Sequence, residues 1–192
     1  MPACAFCRDY NHQVNKPMTS TPNQNATTFD EGFRVSPIGY IRTPFVRAEG
    51  TPIQSKSSAG TEGVIELNPG LEPATRDLEH FERLWLLYLF HRASEPRLIV
   101  RPYLDPVEHG VFATRSPARP NRIGMSVVRL SRVEGLHLYV TDVDMLDGTP
   151  LLDIKPYVPA FDHFTVSQVG WYAGKSPEGV VADSRFESDD KR

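Results

Sequence analysis

Between residues 35 and about 172, short apolar runs alternate with turn residues. Val35–Arg42 (VSPIGYIR), Gly63–Leu67 (GVIEL), Leu98–Arg101 and Gly110–Thr114 (GVFAT) are β-branched or aromatic stretches bounded by Gly, Pro, Asn and Ser. That is the pattern of half-buried strands. Ser126–Val133 (SVVRLSRV) and Leu136–Val143 (LHLYVTDV) flank Glu134-Gly135, which predicts a hairpin or a bulged turn. One segment departs from period two. In Asp77–Arg92 (DLEHFERLWLLYLFHR) the polar residues fall in the first two turns, and Leu78, Phe81, Leu84, Trp85 and Tyr88 recur at helical spacing. With Asp77 as a cap and Pro73 just upstream, the spacing predicts a helix that buries its second half against the sheet. The expected fold is mainly β, a compact antiparallel barrel or sandwich with one main helix.

Composition narrows the picture. The 17 prolines and 13 glycines are spread along the chain, which suits many short strands and disfavours a helical bundle. Residues 1–34 are polar, without Leu or Ile, and read as a flexible N-terminal extension with no secretory signal. Residues 35–172 form the folded domain. From Gly174 to Arg192 nine of nineteen residues are charged, so 173–192 reads as a solvated charged tail. A net charge of −3 excludes a globally basic nucleic-acid coat. The densest apolar run, Leu84–Phe90, is far shorter than the roughly 20 residues that cross a bilayer. A cytoplasmic protein is expected.

Four features could carry chemistry. Cys4-Ala-Phe-Cys7 has only His12 nearby and no βαβ context, so the pair reads as exposed thiols and no metal is expected. The loop Thr114–Gly124 (TRSPARPNRIG) holds Arg115, Arg119 and Arg122, with Pro117 and Pro120 stiffening the spacing. Such forks suit a carboxylate or phosphate, although a solvated turn pairing with surface acids has the same composition. The stretch 142–162 holds aspartates 142, 144, 147, 153 and 162, and Asp153-Ile-Lys155 puts an acid and a base on one strand face. His91 ends the apolar segment. Neither GxGxxG, GxSxG nor HExxH occurs, which disfavours a Rossmann site and leaves hydrolase readings without a nucleophile or metal.

Taken in order, these motifs resemble the TsaA/TrmO-like family of S-adenosylmethionine-dependent tRNA N6-adenosine methyltransferases. The carrying residues are Pro37–Phe45 (PIGYIRTPF), Pro52-Ile-Gln54, Leu78–Phe81 with Leu84-Trp-Leu and Phe90-His91, Val111–Pro117 running into Arg119-Pro-Asn121 and Ile123–Ser126, and Leu146–Pro150 with Asp153–Tyr157. Similarity covers about residues 35–165. The resemblance implies a β-barrel methyltransferase unlike the Rossmann type, working as a homodimer with its cofactor near the subunit interface. Its implied substrate is a tRNA adenosine beside the anticodon that already bears N6-threonylcarbamoyl. Implied cofactor contacts are Pro52, Ile53, Gln54, His91, Arg92, Arg115, Met125, Asp144, Asp147 and Gly148. The expected substrate contacts are Arg119, Asn121, Arg122 and Tyr157, with Arg119 and Arg122 supplying electrostatic grip on RNA.

Chemistry adds roles to that map. Arg115 is a fork for the cofactor carboxylate, and Asp144 or Asp147 can accept from its ribose or amino group, or balance its sulfonium. The acceptor nitrogen lies between an adenine ring and a carbonyl, so a modest general base suffices; Asp153 is the nominee, with Lys155 tuning it or holding the substrate carboxylate. The chain departs from the family at Ile53, where Arg is frequent, at Arg92, where Gln is common, and at Ala118–Arg122, where Phe-Arg-Pro-Asn-Pro is usual. Two other readings share the fold: a methyltransferase acting on a small molecule or another RNA, and a non-catalytic cofactor-binding regulatory module.

Overall fold

The computed structural model describes residues 34–188. The expectations for the N-terminal extension and for Cys4 and Cys7 therefore fall outside the described residues. Eight strands are formed: β1 (Gly39–Arg42), β2 (Glu62–Leu67), β3 (Arg83–Leu89), β4 (Ile99–Val100), β5 (His109–Gly110), β6 (Ile123–Glu134), β7 (His137–Thr141) and β8 (Thr149–Pro156). Six of them close an antiparallel barrel in the order β1-β2-β7-β6-β3-β8, with β8 returning to β1 through Ile41↔Thr149. Strands β4 and β5 make a separate two-stranded ladder. The single α-helix among the described residues, α1 (Pro159–Asp162), is one turn long. No helix among them is long and apolar enough to cross a membrane.

The helix expected over Asp77–Arg92 is instead a 3₁₀ turn at Leu78–His80 followed by β3. Asp77 does not cap it by its side chain; its backbone is left-handed, at φ 65°. A continuous apolar run such as Leu84–Leu89 satisfies both periods, and topology decides between them. Strand β3 hydrogen-bonds β6 on one side and β8 on the other, so without it the barrel would stay open. Its alternation is clean: Leu84, Leu86 and Tyr88 point into the core, while Trp85 faces outward and packs against Tyr157, ring centroids 6.0 Å apart.

Ile41, Ile65, Leu84, Leu86, Val128, Leu138 and Leu151 fill the barrel with no exposed surface. Each such side chain contributes about 1.5–3 kcal/mol of transfer free energy. The hairpin turns at Gly135-Leu136, where Gly135 takes φ 59° and Glu134 pairs His137. Strand β6 is long and shared unequally. Its first half pairs only with β3, and β7 joins it from Arg129 onward, past a bulge at Leu130/Arg132. The barrel is thus left open beside Ile123–Ser126, and the β7–β8 connection runs through that opening.

The charged end of the chain is not a solvated tail over its described part. Val181 bridges Pro52, the Ala182 N–H donates to the Thr51 carbonyl (2.7 Å), and the Ser94 and Ser188 N–H groups bond to Phe186 and Arg92 carbonyls at 2.8 and 2.9 Å. Phe186 is buried with Val100, Val111 and Ala118 in a second small core, edge-on to Tyr103. The charges of this segment point outward or into ion pairs, so a high charge fraction concealed one deeply buried ring.

Candidate functional site

The barrel opening leads into a cavity of about 540 Å³, within the range of small-molecule sites. Its walls come from four parts of the chain: Ala48–Gln54, Tyr88–Ala93 at the end of β3, the Thr114–Ser126 loop and strand, and Asp144–Leu146. The docked segment at Ala182–Glu187 and a turn at Val169–Lys175 complete the rim.

The lining includes a hydrogen-bonded chain of three side chains. Ser126 Oγ donates to Asp144 Oδ1 at 2.6 Å, and the Tyr88 hydroxyl lies 3.0 Å from Ser126 Oγ. Since the serine proton is used on the carboxylate, the tyrosine must donate to the serine. Burial pushes the Tyr88 phenol well above its ordinary range, with the Asp144 charge adding to the effect, so Tyr88 stays a donor at any working pH. The Asp144 carboxyl is pushed up to about 6, again by burial, against the opposing pull of the Ser126 hydrogen bond. Part of its surface still faces the cavity. The geometry follows from β6: its Gly124 lies under the Tyr88 ring, and a Cβ there would come within 2.2 Å of a ring carbon.

Also in the lining, Arg115 donates from Nη1 to Gln54 Oε1 at 2.7 Å. Its other guanidinium donors have no protein partner among the described residues. His91 Nδ1 lies 3.4 Å from the Thr149 hydroxyl, and burial together with the neighbouring Arg92 charge lowers the imidazole pKa below its usual 6.5. At neutral pH His91 is therefore uncharged. Arg92 points elsewhere: its guanidinium bonds to the Val46 carbonyl and pairs with Glu187, fastening the C-terminal segment to the cavity wall.

Of the residues expected to bind cofactor, Pro52, Ile53, Gln54, His91, Arg92, Arg115, Met125 and Asp144 line this one cavity. Asp147 and Gly148 lie behind it, where Asp147 Oδ1 accepts from the Thr43 N–H (3.1 Å) and the Gly148 N–H bonds the Ile41 carbonyl (2.9 Å). These two hold β1 to the start of β8. Among the expected substrate residues, Arg119 lines the cavity, but its Nη2 bonds to the Val111 and Thr114 carbonyls and braces its own loop. Arg122 pairs with Glu95 at 3.3 Å, and neither it, Asn121 nor Tyr157 reaches the lining. Asp153 and Lys155 form a half-exposed ion pair of 2.8 Å on β8, outside the cavity of one chain.

Sequence reasoning missed Tyr88, Ser126, Trp171, Tyr172 and the Ala182–Glu187 wall. Tyr88 had a signal: a hydroxyl on the inward face of an otherwise aliphatic strand calls for a buried partner. For Ser126 and the C-terminal wall no local signal exists, because they act through contacts far away in sequence.

The arrangement suits a zwitterion. Arg115 offers a guanidinium for a carboxylate, Asp144 offers an anion for a cationic or N–H/O–H-bearing group, and the rest of the lining is mostly apolar. S-adenosylmethionine has this distribution of groups.

Comparison with known proteins agrees. The family profile described as "tRNA-methyltransferase O N-terminal domain" matches residues 40–163. A Pyrococcus abyssi (strain GE5 / Orsay) protein named "Probable S-adenosyl-L-methionine-binding protein" is 50% identical over 135 residues, covering 70% of this chain and 73% of the relative. The Homo sapiens "tRNA (adenine(37)-N6)-methyltransferase" is 36% identical over 66% of this chain, but only 30% of its own length is spanned. The crystal structure of TrmO from Pseudomonas aeruginosa superposes with a TM-score of 0.62 at 42% identity, covering 73% of this chain and 63% of that one.

Proposed function

Because the chain belongs to the tRNA-methyltransferase O family, we propose that it is an S-adenosylmethionine-dependent methyltransferase that modifies N6 of a tRNA adenosine. The acceptor is the adenosine beside the anticodon, already carrying N6-threonylcarbamoyl. The observation that carries this reading is one cavity combining a free guanidinium fork with a buried carboxylate set to accept, on a barrel of this family.

S-adenosylmethionine supplies a methyl group on a sulfonium, and the reaction is an in-line displacement in which the acceptor nitrogen loses its proton. The residues' contribution is mainly positioning. Arg115, held by Gln54, takes the amino-acid carboxylate. Asp144, fixed by Ser126 and Tyr88, accepts from donors of the cofactor or balances its positive charge. Neutral His91 and the apolar walls bury the rest and exclude water, which strengthens both charge contacts.

The working unit in this proposal is a homodimer. Phe161, Phe164 and Val166, all more than 60% exposed just after β8, give it apolar surface to bury. Asp153, with Lys155 beside it, serves as the base from across that interface, since one chain keeps the pair outside its own cavity.

The test is nucleoside mass analysis of tRNA carrying threonylcarbamoyladenosine, incubated with protein and S-adenosylmethionine. A gain of one methyl on that nucleoside is expected. Cofactor binding by calorimetry without any gain would refute the acceptor and leave a cofactor-binding module.

A further inference from the structure

The rim of the cavity carries a ladder of three rings that the roles above do not use. His109 and Trp171 stack with centroids 4.6 Å apart and planes within 14°, and Trp171 stacks on Tyr172 at 3.8 Å and 26°. The Trp171 indole N–H donates to the Ala113 carbonyl at 2.8 Å, which ties the ladder to the loop that presents Arg115 two residues later. Lys175, in the same turn, pairs with Asp105 at 2.8 Å, and Asp105 also lies 3.5 Å from His109 Nε2. The ladder is thus fixed at both ends of its turn.

Both faces of Trp171 are covered, one by His109 and one by Tyr172. No other ring among the described residues stacks on Tyr172, so the ladder ends there, at a residue that lines the cavity. Tyr172 lines the cavity close to the charges of Arg115 and Arg119. A rigid aromatic face flanked by guanidinium groups is the usual means of holding an unstacked base, because any base offers a π-face and its phosphates are anionic. The Asp144 anion, held by Ser126, is a separate feature of the lining and suits the cofactor.

We propose that Tyr172, backed by Trp171 and His109, is the platform on which the acceptor adenine stacks after leaving its RNA loop. This rests on the RNA reading given above, and it adds a substrate-binding residue beyond the segment that matches the family, which ends at residue 163. An enzyme acting on a base must take it out of the stack, and a preformed ladder offsets part of the lost stacking.

The test is a double-mutant cycle on the full chain. The probes are an anticodon stem-loop RNA with threonylcarbamoyladenosine at the acceptor position and the same RNA made abasic there. Tyr172→Ala is expected to weaken binding of the first RNA roughly ten-fold or more and to leave the abasic RNA unaffected; Tyr172→Phe should bind like the parent. Cofactor affinity by calorimetry should be unchanged in both variants, which also reports that the cavity has folded. Equal loss on both RNAs, or weakening of cofactor instead of RNA, would overturn the proposal; the latter would assign the platform to the cofactor's own adenine. Methylation by the parent protein is read separately. Turnover with an additive cycle sinks the platform alone, whereas a parent protein that neither binds nor methylates RNA sinks the reading beneath it.

Discussion

Replacing Asp144 with Asn should make the protein more stable and less able to bind its cofactor. The carboxyl is raised from 3.8 to about 6 by burial. At 1.36 kcal/mol per pH unit this corresponds to about 3 kcal/mol of stability withheld from the fold above pH 6. Water in the cavity reaches part of the carboxylate and relieves some of that cost, so the expected gain for Asp144→Asn at pH 8 is about 1–3 kcal/mol, or about 2–10 °C in Tm. The sign follows from proton binding. Between 3.8 and about 6 the folded chain holds a proton that the unfolded chain has released, so the group lowers stability as pH rises through that window. Below it both states are protonated and the variant should match the parent. Ser126 loses nothing, since an amide oxygen can accept its hydrogen bond. Cofactor affinity should fall about 10- to 100-fold, the cost of removing a charged hydrogen-bond partner. Thermal unfolding at about pH 3.5 and pH 8, with calorimetry at pH 8, checks both halves. A variant destabilised at pH 8, or shifted equally at both pH values, would show that Asp144 holds the fold and would refute the reasoning.

Gly124→Ala places a methyl group against the Tyr88 ring, which has no room to move at 3% exposure. It should cost about 1–3 kcal/mol of stability and weaken cofactor binding, both read from one melting series with and without ligand. Gly39→Ala is the comparison: its Cβ would meet the Glu66 carbonyl at 2.3 Å, away from the cavity, so stability should fall while the ligand-induced rise in Tm persists. Phe186→Ala empties the second core and should cost about 3 kcal/mol there, detectable as reduced cofactor affinity with the barrel's far-UV circular dichroism unchanged. Asp153→Asn should abolish most turnover while calorimetric cofactor affinity stays at the parent value; equal loss of both would remove Asp153 from the role of base.

Much of the barrel was legible in the sequence because turn residues and period-two runs are local signals. The hairpin at Gly135 and strand β2 follow directly from them. Strand β3 was not legible, since Leu84–Leu89 fits either period and only the need to fill the gap between β6 and β8 makes it a strand. The family motifs brought eight of the expected cofactor residues to one cavity lining. They left Arg92 tied to Glu187 and Arg119 tied to its own loop, because ion pairs and carbonyl contacts across the fold cannot be read from residue type. The wall at Ala182–Glu187 was hidden for the same reason: one phenylalanine among charges carries no periodicity.

That wall also sets the order in which the molecule becomes competent. Glu187 Oε2 accepts from the Ala48 N–H across 139 residues of sequence, one of the longest spans the fold closes. Loop-closure entropy grows only logarithmically, about 0.6 kcal/mol per doubling of length, so the span costs little at equilibrium. Its effect is kinetic, because distant contacts form after local ones. The expected order has β8 closing onto β1 before the last docking step, which a refolding experiment reads directly. In a refolding time course, the barrel's far-UV circular dichroism should therefore appear ahead of cofactor binding, and ligand added at the start should not shorten the lag between them.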